Sequence, residues 1–244
     1  MARTTQFVRH DGRQADELRQ VSLTPNFVGK ADGSCLIEMG GTRVICTASI
    51  VPGVPAWRQA SGQGWMTAEY GMLPASTGSR KPRPLAKPDG RSVEIQRLIG
   101  RVLRNVVRLE ELGPSTLYLD CDVLEADGGT RTAAITGAYV ALHGAVAKAA
   151  ARGQCSQTVL AGRVAAVSAG LVDGHVLLDL DYSEDSQADV DMNVAMNDQG
   201  EFLDVQASGE RRAFGPRQMA AMMRLARQGI GQLLRLEAKA IGQR

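Results

Sequence analysis

The 244-residue chain has no Cys-x-x-Cys pair, no long apolar run and almost no net charge. Each absence removes a class of function. Cys35, Cys46, Cys121 and Cys155 stand far apart, so neither metal nor dithiol spacing is present. Cys35, Cys46 and Cys121 fall in apolar or alternating stretches and are expected to be reduced core residues of an intracellular protein. The longest uncharged run, Thr132 to Ala147, is broken by Gly and Thr. It falls short of the ~20 apolar residues of a membrane helix. The first twenty residues are charged throughout and contain no secretory-type apolar segment, which predicts a soluble, cytoplasmic protein with no membrane partner. Histidine is scarce: His143 is expected to pack on its helix, and His10 and His175 to be exposed.

What is present is globular composition, 44% hydrophobic and 22% charged. Ser34–Glu38 and Arg43–Val51 read as strands joined at Gly40-Gly41 in a hairpin. Residues 1–32 read as an irregular polar arm and 52–64 as a loop. Residues 74–91, rich in Pro, Gly, Lys and Arg, read as a mobile basic loop. A helix is predicted from Ser92, as its N-cap, to about Leu109, with Ile95, Leu98, Ile99, Val102 and Val106 on one face. Arg97, Arg101, Arg104 and Arg108 occupy another face. Thr116–Leu124 alternates as a strand, and Thr132–Ala151 reads as a long, mostly buried helix. Strands are predicted at Val164–Ala169, His175–Tyr182, Val190–Ala195 and Phe202–Ala207. A closing amphipathic helix spans about Pro216 to Ala240, with a kink expected at Gly229 and Gly231. The order predicts an α+β fold, and the lack of a dividing linker favours one domain over residues 1–244.

The near-zero total charge conceals segregation. From Arg80 to Arg108 there are nine basic residues against two acidic ones. From Asp173 to Asp204 there are ten acidic residues and no Lys or Arg, and from Arg211 onward eight basic residues face one Glu. Any single charge is most simply a solvated one, but a loop and adjoining helix this basic suit a polyanion or phosphate partner.

Two places have the make-up of an anion site. In Asp89-Gly90-Arg91-Ser92, Arg91 stands at the start of a helix whose free N–H groups attract anions. In Asp127-Gly128-Gly129-Thr130-Arg131-Thr132, glycines let amides turn outward, Thr130 and Thr132 supply hydroxyls, and Arg131 offers a bidentate fork. The Gly-Lys-Ser/Thr ending of a P-loop is missing. The run Asp179 to Asn193 crowds carboxylates onto a strand–turn–strand, with Asp179 and Asp181 on one face and Asp189, Asp191 and Asn193 on another. Such crowding calls for a cation or a proton, and a hard-oxygen set suits Mg²⁺ or Mn²⁺. Spacing alone does not select which carboxylates act.

Residues 62–74 (GQGWMTAEYGMLP), 90–104 (GRSVEIQRLIGRVLR), 119–142 (LDCDVLEADGGTRTAAITGAYVAL) and 180–196 (LDYSEDSQADVDMNVAM) resemble the bacterial ribonuclease PH family. The resemblance implies a ribosomal-protein-S5-domain-2-like α+β fold and a phosphate-dependent 3′→5′ exoribonuclease, or tRNA nucleotidyltransferase, that trims tRNA 3′ ends. It implies a homo-hexamer built as a trimer of dimers, with inorganic phosphate as co-substrate. It assigns phosphate binding to Arg91, Gly129, Thr130 and Arg131, and catalysis or divalent-metal binding to Asp185 and Asp191. RNA contact is implied for the loop after Pro74, where Arg80 and Arg83 fit; Ala75 stands where the family commonly has Arg. Two alternatives bear on the same residues: a non-catalytic ring subunit, which would be expected to have lost the aspartates or arginines present here, and a metal-dependent hydrolase using water.

Overall fold

The computed structural model describes residues 9–83 and 89–242. In chain order these form β1 (Val21–Pro25), β2 (Gly33–Met39), β3 (Thr42–Pro52), the single turn α1 (Ala56–Gln59), β4 (Trp65–Met72), α2 (Gly90–Arg104) and β5 (Ser115–Glu125). They continue with α3 (Thr130–Ala151), β6 (Val164–Val172), β7 (His175–Leu178), α4 (Tyr182–Asp185), β8 (Val190–Asn197), β9 (Phe202–Gly209) and α5 (Pro216–Ala240).

The strands make two sheets, ordered β1-β2-β3-β5-β4 and β7-β6-β8-β9. All neighbours are antiparallel except β4 and β5, which run parallel in the register Trp65↔Thr116 to Met72↔Val123. A parallel pair needs a crossover, and α2 supplies it by packing back on β4. That crossover sets the N-terminus of α2, with Arg91, beyond the carboxyl end of β4.

Helix α3 contacts β2 and β3 of one sheet and β6 of the other. Its apolar residues lie all round its circumference, so both sheets bury against it. Small side chains allow the close approach: a Cβ at Gly33 in β2 would lie 2.0 Å from the Ala141 carbonyl oxygen. One hydrophobic cluster therefore joins Cys35 and Ile37 of the first sheet to Val167 and Met192 of the second, and α5 closes it with Met222, Ile230 and Leu233.

The α+β class, the β2–β3 hairpin and the long helices follow the sequence pattern. Elsewhere the structure departs from it. The arm contains β1, an edge strand that pairs Val21 with Met39; a five-residue run ending in Pro gives little strand signal but is tolerated at an edge. The unassigned stretch after residue 64 is β4, the other edge. Helix α2 starts at Gly90, two residues before Ser92, because Asp89 is the N-cap and accepts from the Ser92 amide at 2.8 Å. It ends at Arg104 rather than Leu109. The stretch His175–Tyr182 is a strand only to Leu178: Asp179 adopts φ 53° and Asp181 caps α4. Helix α5 runs unbroken through Gly229, which gives room to the Leu178 side chain. The basic loop is tied at its start, where the Lys81 amide donates to the Pro74 carbonyl and the Ala126 amide to that of Ser76; residues 84–88 of it lie outside the described residues.

Glu237 of α5 is wholly buried, and neither carboxylate oxygen has a hydrogen-bond partner. Burial raises its pKa well above 4.5, with the nearby Arg163 opposing and Asp198 adding to the rise. The unfolded chain ionises Glu237 at ordinary pH and the folded chain resists, so stability contributed at low pH is lost as pH rises above 4.5. Glu237→Leu is expected to stabilise the fold by about 1–3 kcal/mol at pH 8 and by less at pH 5. Denaturant midpoints at the two pH values measure this, and equal midpoints for the two chains would refute it.

Candidate active site

Four segments distant in sequence meet beside the N-termini of α2 and α3. A cavity of about 450 Å³ is lined by Arg91, Arg131, Asp185 and Asp191 together with Glu210 and Arg211. A second, of about 600 Å³, shares Arg91 and Asp185 with it and adds Gly128, Gly129, Thr130 and Tyr182. A third, of about 720 Å³, again includes Arg91, with Lys81 and Arg83 from the basic loop and the carboxylates Glu69 and Asp120. Arg91 is common to all three.

The turn before α3 is fixed from behind. Gly128 and Gly129 have φ of 75° and 64°, in the left-handed region open to glycine. The Thr42 hydroxyl donates to the Gly128 carbonyl at 2.6 Å and accepts from the Asp127 amide at 2.9 Å. Arg19 donates to the carbonyls of Asp127 and Gly128. In a trans peptide the N–H points opposite to the C=O. Drawing both carbonyls toward Arg19 therefore turns the amides of Gly128 and Gly129 away from it. Tyr70 donates to the Thr130 hydroxyl at 2.9 Å, which leaves Thr130 its own proton to give. Thr132 differs from the sequence reading: its hydroxyl donates to the Gly129 carbonyl and it is buried.

Five of the ten carboxylates of the acidic segment separate into structural and site groups. Asp179 is wholly buried and held by Arg19, through Nη2 at 2.7 Å and Nε at 3.1 Å. Glu184 pairs with Arg9, and Asp181 caps α4 while meeting His10 Nε2 at 2.6 Å. Asp179 and Asp181 thus share no strand face. His10 is exposed as expected, but the Asp181 hydrogen bond raises its pKa against a smaller opposing effect of burial. Asp185, at the end of α4, and Asp191, on β8, remain for the cavity. Burial raises both, Arg131 and Arg91 opposing it at Asp185. Asp191 is pushed up to about 6, first by burial and then by the negative charge of Asp185. Asn193 Nδ2 holds Asp191 at 2.9 Å. Among the described residues a three-donor group within 4.8 Å occurs at His10, Asp11 and Asp181, where Arg13 already holds Asp11 at 2.6 Å.

Arg80 and Arg83 are exposed, and Arg83 reaches a neighbouring cavity rather than that of Asp185 and Asp191. Ala75 is exposed on the same loop. Most of the arginine stripe on α2 and just after it has partners: Arg101 pairs with Asp204 at 2.7 Å, Arg104 covers the Trp65 ring at 4.9 Å, and Arg108 donates to the Thr158 carbonyl. Sequence reasoning missed Arg9, Arg13 and Arg19, whose arm carried no periodic signal. It also missed Glu210 and Arg211, which follow β9 and reach the cavity only through the β8–β9 pairing.

Residues 17–147 match the model of the 3′ exoribonuclease family, domain 1, and residues 162–229 that of domain 2. A ribonuclease PH of Corynebacterium kroppenstedtii is 51% identical over 239 residues, covering 97% of this chain and 94% of that protein. Among solved structures, rice (Oryza sativa) Rrp46 superposes with a TM-score of 0.78 at 18% identity, covering 96% of this chain and 100% of that one. An Archaeoglobus fulgidus exosome with RNA bound to the active site gives 0.76 at 23% identity, covering 93% and 91%. At that identity these two show the fold.

Two outcomes test the geometry. In the metal-free protein, Asp191 should titrate near 6 by carboxyl-detected NMR and move lower in Asp185→Asn, where the like charge is gone. No movement would mean that the two carboxylates do not share a field. A Cβ at Gly128 would lie 2.6 Å from the Leu180 carbonyl oxygen at a φ of 75°. Gly128→Ala should therefore cost at least about 1–2 kcal/mol in urea unfolding.

Proposed function

The chain belongs to the 3′ exoribonuclease family, and on that premise we propose which of its residues carry the phosphate-dependent removal of RNA 3′ nucleotides. It is a phosphorolytic 3′→5′ exoribonuclease, a nucleotidyltransferase in which an oxygen of inorganic phosphate attacks the phosphorus of the last phosphodiester, the 3′ oxygen of the shortened RNA departs with a proton, and the terminal nucleotide is released as a nucleoside 5′-diphosphate. The observation that carries the assignment is the convergence of Arg91, Arg131, Asp185 and Asp191 on one cavity.

Two anions must approach within bonding distance, so the site has to neutralise charge. Arg91 and Arg131 hold the attacking phosphate, aided by the free first-turn amides of α3 and by the Thr130 hydroxyl. Phosphate is already anionic at neutral pH and needs no general base. Asp185 and Asp191 fit a Mg²⁺ ion, or Mn²⁺: they are hard oxygen donors whose mutual repulsion raises Asp191, and Mg²⁺ is commonly held by one or two carboxylates plus substrate phosphates. When bound, the ion would offset charge on the scissile phosphate and on the leaving oxygen. A second reading rests on the same raised pKa: protonated Asp191 donates to the departing 3′ oxygen. The natural substrate is proposed to be the 3′ end of tRNA precursors, contacted by Arg80 and Arg83. The working form is proposed to be a cytoplasmic homo-hexamer of three dimers; fold relatives taken from exosome cores support an assembled form.

Incubation with a 3′-extended tRNA, Mg²⁺ and phosphate should release nucleoside diphosphates. Monophosphate products, or turnover without phosphate, would instead indicate hydrolysis by water. Arg91→Ala should raise the phosphate KM at least about tenfold, the loss of one charge-assisted contact. Asp191→Ala should abolish turnover while RNA remains bound, which also separates an enzyme from a scaffold. The pH profile distinguishes the roles of Asp191. At limiting Mg²⁺, a metal-holding carboxylate gives a rate that rises with pH as the metal-free Asp191 ionises near 6, whereas a proton donor gives one that falls.

A further inference from the structure

We propose that His10 is a positioning residue for Asp185: by holding one oxygen of the Asp181 cap, it fixes the single helical turn that carries Asp185. The inference rests on the assignment of Asp185 to the reaction above. It adds a residue of the N-terminal arm that lines none of the three cavities and so acts through the fold.

Helix α4 is one turn long, from Tyr182 to Asp185. A turn this short has almost no cooperative stability of its own and depends on its cap. Asp181 is that cap. Its Oδ1 accepts from the Ser183 hydroxyl at 2.7 Å and from the Glu184 amide at 3.1 Å. Its carbonyl accepts from the Asp185 amide at 2.8 Å, so the orientation of Asp181 sets where the Asp185 backbone begins. The second carboxylate oxygen, Oδ2, faces the arm. There it meets His10 Nε2 at 2.6 Å, and the same nitrogen lies 3.0 Å from Ser183 Oγ. One imidazole thus holds both residues of the cap.

A competitor for Asp181 stands close by. Arg13 Nη2 is buried without a hydrogen-bond partner, 3.7 Å from the same Oδ2. An unpaired buried donor is costly, so a carboxylate released by His10 is drawn toward Arg13. That rotation takes Oδ1 away from the Ser183 hydroxyl and the Glu184 amide and loosens the turn. Neighbouring acids do not substitute for Asp181 in this balance: Asp11 is held by Arg13 Nε at 2.6 Å, and Glu184 by Arg9. The His10 side chain is 56% exposed, so replacing it opens no void in the core.

The test uses the full chain with Mg²⁺, phosphate and 3′-extended tRNA. His10→Ala should lower kcat about fivefold, the scale of one lost hydrogen bond, with the phosphate KM unchanged because Arg91 and Arg131 stand on other elements. His10→Gln, whose side-chain amide can donate to the same oxygen, should recover most of the rate. Without RNA, phosphate or metal, the Asp185 amide should exchange with deuterium faster in His10→Ala than in the parent, by a similar factor. In an Asp181→Asn background, His10→Ala should cause little further loss. An unchanged kcat, or unchanged exchange at Asp185, would overturn the proposal. Equal losses with and without the Asp181 carboxylate would overturn it too, because His10 would then be acting elsewhere. Turnover left intact by Asp185→Asn, or failure of the parent to release nucleoside diphosphates, would instead count against the catalytic reading, so the two failures are distinguishable.

Discussion

The carboxylate of Asp179 is wholly buried and takes three hydrogen bonds from Arg19, through the backbone amide, Nε and Nη2. Removing two such charges from water costs several kcal/mol each, which only near-complete hydrogen bonding offsets. What the pair provides here is connection. The remaining guanidinium hydrogens reach the carbonyls of Asp127 and Gly128, so one side chain joins the N-terminal arm, the turn before α3 and the acidic segment before α4. The glycine turn before α3 and the helix carrying Asp185 therefore keep a fixed relation. Arg9 and Arg13 reinforce it, donating to the carbonyls of Leu178 and Asp179.

Around this joint the charge is arranged for use rather than for stability. Asp185 and Asp191 both have raised pKa values with burial as the leading cause, and Glu210 adds a third negative charge nearby. Arg91 and Arg131 oppose that effect at Asp185 without cancelling it. A site arranged for its own folding would pair these groups fully. A site that must accept phosphate and an RNA phosphodiester leaves capacity of each sign unspent, at some cost to the unliganded fold. The contrast with the buried arginines of the arm is instructive: there Asp11, Asp179, Asp181 and Glu184 each have a close partner.

The architecture brings helix starts to this place by two routes. The parallel β4–β5 pair demands a crossover, and the crossover helix α2 begins with Arg91. Helix α3 is apolar on all sides and must lie where both sheets can cover it, which sets its first turn against the segment between β7 and α4. Contact between Gly128 and the backbone of Leu180 and Asp181 marks where the two meet, and only a residue without a Cβ fits there.

Periodicity made the α+β class, the hairpin and the long helices legible, because those patterns are local and strong. The motifs around Arg91, Gly129, Thr130 and Arg131 were legible for a related reason, since an anion site requires a recognisable set of residue types, whereas Asp185 and Asp191 were singled out from the acidic run only through the family resemblance. The edge strands β1 and β4 were not legible, since their pairing energy comes from partners far along the chain. Nor was the role of the arm, because a buried arginine and an exposed one look alike in sequence. By itself the sequence determined which residue types are available and where blocks of opposite charge lie. Only the tertiary structure decided that, of ten crowded carboxylates, Asp179, Asp181 and Glu184 would be taken up by arginines and histidine while Asp185 and Asp191 face a cavity. Ion pairs between residues some 170 positions apart depend on a folded backbone to bring them within hydrogen-bond range, and no local pattern encodes that distance.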